Sequence, residues 1–201
     1  MSKIALTGNA SGTGTLTIAA PNTNTDRTLT LPDEAGTVDT LQRAGNVLQV
    51  VSTTKTDTFS HTGTTWTDVT GLSVSITPTS ASSKIYIVVN INIDADRRYG
   101  AFRFMRDSTA IGIGDSSGSR ARVTASAMRN QDASNDQYIA HNSSASFIDL
   151  PSTTSATTYK IQIANTYDVA GVTYINRTGD DGDGAYSARG ISTITVMEIA
   201  A

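Results

Sequence analysis

Lys84-Ile85-Tyr86-Ile87-Val88-Val89-Asn90-Ile91-Asn92-Ile93-Asp94 is the stretch on which the fold turns. Ile85, Ile87, Val89, Ile91 and Ile93 occupy every second position, and successive side chains of a strand point to opposite faces. The spacing therefore predicts one continuous, branched apolar face. β-Branched residues also fit a pleated surface better than a helix, where the preceding turn restricts χ1. The alternate positions, Tyr86, Val88, Asn90, Asn92 and Asp94, make a mixed face. Such a strand is about 35 Å long. A strand of that length with one wholly apolar side needs a second sheet laid over it, so the stretch predicts the centre of a β-sandwich.

The bulk properties fit this reading. The chain has 201 residues, no cysteine and a formal charge of −3. Charged residues make up only 16%, against about a quarter in an ordinary domain, and Thr, Ser, Gly and Asn fill the difference. Without cysteine there is neither a disulfide framework nor thiol chemistry. The start, Met1-Ser2-Lys3 followed by IALTGNASG, carries no apolar signal-peptide core, and no run approaches the ~20 apolar residues of a membrane span. A soluble chain made without export is expected. The near-neutral charge gives no reason to expect general nucleic-acid binding.

Residues 1–58 contain no Phe, Tyr or Trp. They hold short alternating pieces, Lys3–Thr7, Thr15–Ile18 (TLTI) and Thr28–Leu31 (TLTL), the last two resembling one repeated unit. Turn-forming residues separate them at Gly8–Gly14, Pro21–Asp26 and Pro32–Gly36. Each piece has too few apolar side chains to hold a hairpin alone. One reading is a flexible leader; the Thr-apolar alternation favours an arm over residues 1–45 that becomes ordered against other chains. A denser domain begins at residues 44–47 and fills 46–201. Val47–Val51 and Thr56–Phe59 begin this domain, and strands are expected at Trp66–Val69, Leu72–Ile76, Tyr99–Arg106, Ala145–Leu150, Thr157–Ala164, Val172–Ile175 and Gly190–Ala201, with a hairpin through Arg106–Gly114. No capped helical period appears, so the chain reads as all-β. The closing strand is apolar on both faces from Ile194 to Ile199, which places it centrally in a sheet or at a subunit interface.

Two likenesses attach to particular residues. SGTGTLTIAAPNTNTDRTLTLPDEAGTV, starting at Ser11, resembles a segment of structural proteins of tailed bacteriophages, notably those of cyanobacterial and marine hosts. The domain from Val47 is similar to the one that often follows it, through TGLSVSITPTSASSKI, FRFMRDSTAIG, YINRTGDD and STITVMEI. A weaker similarity is to the trimeric jelly rolls of the complement-globular and tumour-necrosis-factor type, with Ser192-Thr193-Ile194-Thr195 in the last strand. The low aromatic content departs from those families. These resemblances imply an antiparallel jelly-roll-like sandwich forming a homotrimer, and a virion-assembly role in a protein made in the host cytoplasm.

On this reading Ile194, Val196, Met197 and Ile199 are the expected trimer contacts, and Leu16, Ile18, Leu29 and Leu31 the expected virion-attachment contacts. The partners are other copies of the chain and the major capsid protein or tail proteins of the same virion. Two placements remain open: a head-decoration (cement) protein, or a short tail fibre or fibre tip recognising the host surface. A carbohydrate-binding module is a third class, for which Tyr167, Tyr174 and Tyr186 are the candidate platform and host-surface glycan the partner.

Catalysis has little to stand on. His61 and His141 lie apart in Thr/Ser-rich surroundings, and no GxSxG elbow exists. Gly179-Asp180-Asp181-Gly182-Asp183-Gly184 concentrates carboxylates, but the position where a calcium loop needs a bidentate Glu is Ile191. An acidic solvated turn is the plainer reading, with Asp180, Asp181 and Asp183 as weak metal candidates and no cofactor expected. Arg97, Arg98, Arg103, Arg106, Arg120, Arg122 and Arg129 cluster mid-chain. They suit either a patch for acidic glycan or pairing with Asp168 or Asp180–Asp183.

Overall fold

A computed structural model of the chain describes residues 11–15, 17, 24–26, 28, 43–96, 99–127 and 139–201. The chain divides into two units, residues 1–38 and 39–201, and every strand among the described residues lies in the second. None of the described residues is in an α-helix. Among the described residues eleven strands form two antiparallel sheets.

The first sheet runs β1 (Val47–Lys55), β11 (Ser192–Ile199), β4 (Lys84–Ala95), β10 (Val172–Ile175) and β2 (Phe59–Thr62), with β8 (His141–Asp149) also paired to β4. The second runs β3 (Thr67–Ile76), β9 (Thr157–Asn165), β5 (Gly100–Arg106) and β6 (Thr109–Ile111), with β7 (Ala125–Ala127) also paired to β5. β4 is the hub. One edge pairs with β11 over Lys84–Asn90 and with β10 over Ile93–Ala95, and the other with β8 over Ile85–Ile93.

Ile85, Ile87, Val89, Ile91 and Ile93 are all fully buried and share one core with residues of the second sheet. That sheet contributes Leu72, Val74 and Ile76 from β3, Phe102 and Phe104 from β5, and Tyr159, Ile161 and Ile163 from β9. At about 1.5–3 kcal/mol for each large apolar side chain removed from water, this face is the main favourable term in the fold.

Two expectations need correction. Trp66–Val69 and Leu72–Ile76 are not separate strands: Thr67–Ile76 is one strand whose register against β9 shifts between Asp68 and Ser73. Gly71, at φ +81°, supplies the left-handed conformation that a bulge uses without ending the strand. β8 begins at His141 rather than Ala145 because the far half of β4 gives HNSS a partner, with Ser144 Oγ donating to Asn90 Oδ1 at 2.6 Å. The closing strand lies centrally in its sheet, between β1 and β4.

Two buried polar clusters close one end of the sandwich. Asp149, on β8, accepts two bonds from Arg106 Nη1 on β5 (2.9 and 3.0 Å) and one from the Tyr159 hydroxyl on β9 (2.7 Å). This latch joins the two sheets. Burial, and then the bond to Asp149, push the Tyr159 hydroxyl far above the usual tyrosine range. Glu198, fully buried on β11, accepts from Thr79 N and Oγ1, both at 2.7 Å, and from Gln49 Nε2 at 2.6 Å. Burial pushes its carboxyl up, but the hydrogen bonds from Gln49, Ser83 and Thr79 outweigh that and hold it below the usual carboxylate range.

Asp149→Ala leaves Arg106 and the Tyr159 hydroxyl facing each other without an acceptor, and is expected to cost about 3 kcal/mol by urea unfolding. Tyr159→Phe, which removes one bond, is expected to cost about 1 kcal/mol. Glu198 binds its proton less readily folded than unfolded. Its contribution is therefore present above the unfolded value, about 4.3, and is lost as pH falls through the depressed folded value. Acid unfolding followed by circular dichroism should show a shallower pH dependence below about pH 4.3 in Glu198→Gln than in the parent.

Candidate functional site

The two sheets present very different outer faces. On the second, Asp68, Lys160, Gln162, Arg103 and Trp66 form a polar network. Lys160 Nζ donates to Asp68 Oδ2 at 2.6 Å, Gln162 Nε2 to Asp68 Oδ1 at 2.7 Å, and Arg103 Nη2 to Gln162 Oε1 at 2.7 Å. The Arg103 guanidinium lies 4.3 Å from the centroid of the Trp66 ring, a cation–π contact. Burial raises the Asp68 carboxyl, but the bonds from Lys160 and Gln162 prevail and keep it below its ordinary range. This face is built for water.

The outer face of the first sheet is built otherwise. Val50 pairs with Met197, Met197 with Tyr86 and Tyr86 with Ile148. Residues in register on neighbouring antiparallel strands project from the same side, so these four make an apolar row across β1, β11, β4 and β8. The next row is Ser52, Thr195, Val88 and Ser146, and the one beyond it Thr54, Thr193, Asn90 and Ser144. Val50 and Ile148 are exposed, as are Val47 and Leu150 beside the row; Met197, Tyr86, Val88 and Ile199 are half-buried. Lys84 is the one charge among these rows and their margin. At the far end of β4 the same face is covered. Asp94 is fully buried and its Oδ2 accepts from Gly179 N at 2.6 Å, while a Cβ on Gly190 would stand 2.5 Å from Asn92.

The expected trimer contacts are split by this geometry. Ile194 and Val196 are fully buried in the chain's own core, whereas Met197 and Ile199 alternate onto the outer face. The register of β11 against β1 and β4 sets that parity. An Asp at Ile194 or Val196 therefore tests folding rather than assembly. Tyr86, Val50 and Ile148 complete the outer row and were not in the expected set. Their signal was present in the sequence only as the mixed second face of KIYIVVNINID and the Phe147-Ile148 alternation. Leu16, Ile18, Leu29 and Leu31 lie outside the described residues.

The acidic turn is occupied by arginine. Asp181 Oδ2 accepts from Arg177 Nη1 at 2.7 Å and Oδ1 from Arg189 Nη2 at 2.6 Å. Asp180 Oδ1 accepts from Gly182 N at 3.1 Å, and Asp183 is exposed. Two guanidiniums thus pair with Asp181 and compete with any cation for its carboxylate. Among the described residues no group of three His, Cys, Asp or Glu side chains is arranged to hold a metal. The described mid-chain arginines pair elsewhere: Arg103 with Gln162, Arg106 with Asp149, Arg120 with Ser117 Oγ and Arg122 with the Gly114 carbonyl. Arg97, Arg98 and Arg129 lie outside the described residues. His61 Nε2 is 3.3 Å from the hydroxyls of both Thr65 and Thr67.

Nor do the candidate aromatic residues gather on one platform. Tyr174 lies under Arg177, whose guanidinium is 4.4 Å from the ring centroid. Tyr186 is exposed in the loop between β10 and β11. Tyr167, between β9 and β10, pairs with Tyr99 from the loop between β4 and β5. No protein-family model and no curated protein matches the chain.

Proposed function

We propose that the chain is a non-enzymatic structural protein of a tailed-bacteriophage virion. In this reading it is a homotrimer in which the first sheet faces the other copies and residues 1–45 act as an attachment arm. It is displayed on the particle as a capsid-decoration (cement) protein, with the major capsid protein as its neighbour. The strand order supports a jelly-roll sandwich: β1-β11-β4-β8 in one layer and β3-β9-β5-β6 in the other interleave early and late strands, as two nested Greek keys require.

The apolar outer face carries the assembly reading. At about 4.8 Å between strands and about 3.3 Å per residue, the band from Val47 and Val50 to Ile148 and Leu150 covers roughly 300 Å². An apolar patch of that size with a Ser/Thr/Asn rim matches the largest patch of an ordinary monomer, which is often functional, and would be the centre of a wider interface that takes in the Ser/Thr/Asn rows. It offers no field to select an oppositely charged partner and no repulsion against its own image. Closed symmetry repeats one such face around an axis and also covers the β1 and β8 edges.

Tyr86→Asp and Met197→Asp, which place a charge on that face without touching the core, are expected to convert the trimer to monomers with little change in unfolding midpoint. Sedimentation equilibrium reads the mass. A trimer that survives both changes would remove this face from the interface. Deleting residues 1–45 should leave a folded trimer that no longer co-sediments with expanded, DNA-free capsids; an unfolded product would overturn the division of roles.

The second reading, a short tail fibre or fibre tip, is favoured by one observation. The exposed Tyr99–Tyr167 pair stands at the opposite end of β4 from the point where the chain enters the sandwich. Gly45 N donates to the Ala200 carbonyl, and Ala200 N to that of Asn46 (both 2.9 Å), beside the Lys84 end of β4; Ala95, at the other end, pairs with Thr173 at the start of β10.

A further inference from the structure

The loop between β10 and β11, residues 176–191, stands on the outer face of the first sheet rather than beyond its end. Its Gly179 N donates to Asp94, and its Gly190 packs so closely on Asn92 that a Cβ would fall 2.5 Å from that side chain. By the alternation of β4, Asn92 and Asp94 share the face of Tyr86 and Val88. The loop is tied down at several points. Gly190 N donates to the Asn176 carbonyl at 3.2 Å, Asp181 joins Arg177 to Arg189, and Ser187 N donates to the Gly184 carbonyl at 2.9 Å. Tyr186 sits against this frame, since a Cβ on Gly184 would stand 2.6 Å from its ring. Yet Tyr186 is 59% exposed, and so is Ile191 where the loop enters β11. A rigid loop that shows large apolar groups to water has little conformational freedom to lose on contact.

We infer that this loop is the outer part of the contact between copies of the chain, with Tyr186 and Ile191 packing on the next copy in the trimer. The inference rests on the proposed assembly through the first sheet and extends it beyond the strands. Area is one reason. The apolar band covers roughly 300 Å², and the four-strand face from Lys84 to Asn92 roughly 500 Å². A specific interface takes about 800 Å² from each partner. The loop lies against that face and supplies the shortfall. Height is the other reason. A segment lying on a sheet raises the surface there by at least the thickness of one chain. A second copy brought down on Val50, Met197, Tyr86 and Ile148 therefore meets a step at the far end of β4 and must pack against it. A wholly polar, solvated loop would hold that copy off. This one exposes a tyrosine and an isoleucine, and aromatic residues are enriched where proteins meet.

The experiment compares variants of the full chain by sedimentation equilibrium and by crosslinking. Tyr186→Asp and Ile191→Asp are each expected to raise the concentration at which the trimer dissociates about tenfold or more. Because the chain has no cysteine, Tyr186→Cys takes a single maleimide–benzophenone label. Irradiation is expected to join neighbouring copies covalently from that position. The same label on Thr70→Cys, exposed on β3 in the second sheet, should join none. A parent that sediments as a monomer overturns both this inference and the assembly on which it rests. A trimer dissociated by Tyr86→Asp but indifferent to both loop changes, or without a crosslink from position 186, overturns the inference alone. A crosslink of equal yield from Thr70→Cys would do the same.

Discussion

Everything in the sandwich depends on one strand being apolar on one side over its whole length. Ile85 through Ile93 present five β-branched side chains to a single face, and all are completely buried. Covering them requires the β3-β9-β5 layer, which supplies aromatic and aliphatic residues at matching alternation. Because β4 outlasts β11 along one edge, the last residues of β4 pair with β10 instead. That change of partner brings in β2 and makes room for the long loop between β10 and β11. The width of the first sheet therefore follows from the length of its hub strand.

Polar groups then fix what apolar packing leaves loose. Asp149 joins the two sheets through Arg106 and Tyr159, and Glu198 holds the β3–β4 loop through Thr79. Asn176, at φ +60°, donates to the carbonyls of both Lys55 and Asp57 and accepts from Ser192 Oγ. Each buried side chain satisfies backbone or side-chain groups on a different element, so none can be replaced by an apolar residue without leaving partners unbonded.

The contrast between the outer faces bears on function more than any single residue does. The charge of one layer is gathered into the Asp68–Lys160–Gln162–Arg103 network, and the other layer carries Val50, Met197, Tyr86 and Ile148 in one row. A monomer gains nothing from that asymmetry. The proposed trimer would, because it would repeat the poor face toward the axis and leave the charged face in water.

Much of this was legible in the residues alone. Alternation is a local property of a strand, so the all-β class, the buried face of β4 and the central place of the closing strand could be read directly from KIYIVVNINID and STITVMEI. Pairing is not local. Which side of β11 faces inward depends on its register with β1 and β4, and that register divided Ile194 and Val196 from Met197 and Ile199. Likewise, Trp66 lies beneath Arg103, and Tyr99 meets Tyr167 from another loop. Side chains so far apart in the chain acquire partners only when the sheets close. The sequence by itself determined which residues had to be hidden, and the tertiary structure decided which of those remaining outside stand together, because that depends on strand order and loop closure rather than on any local spacing.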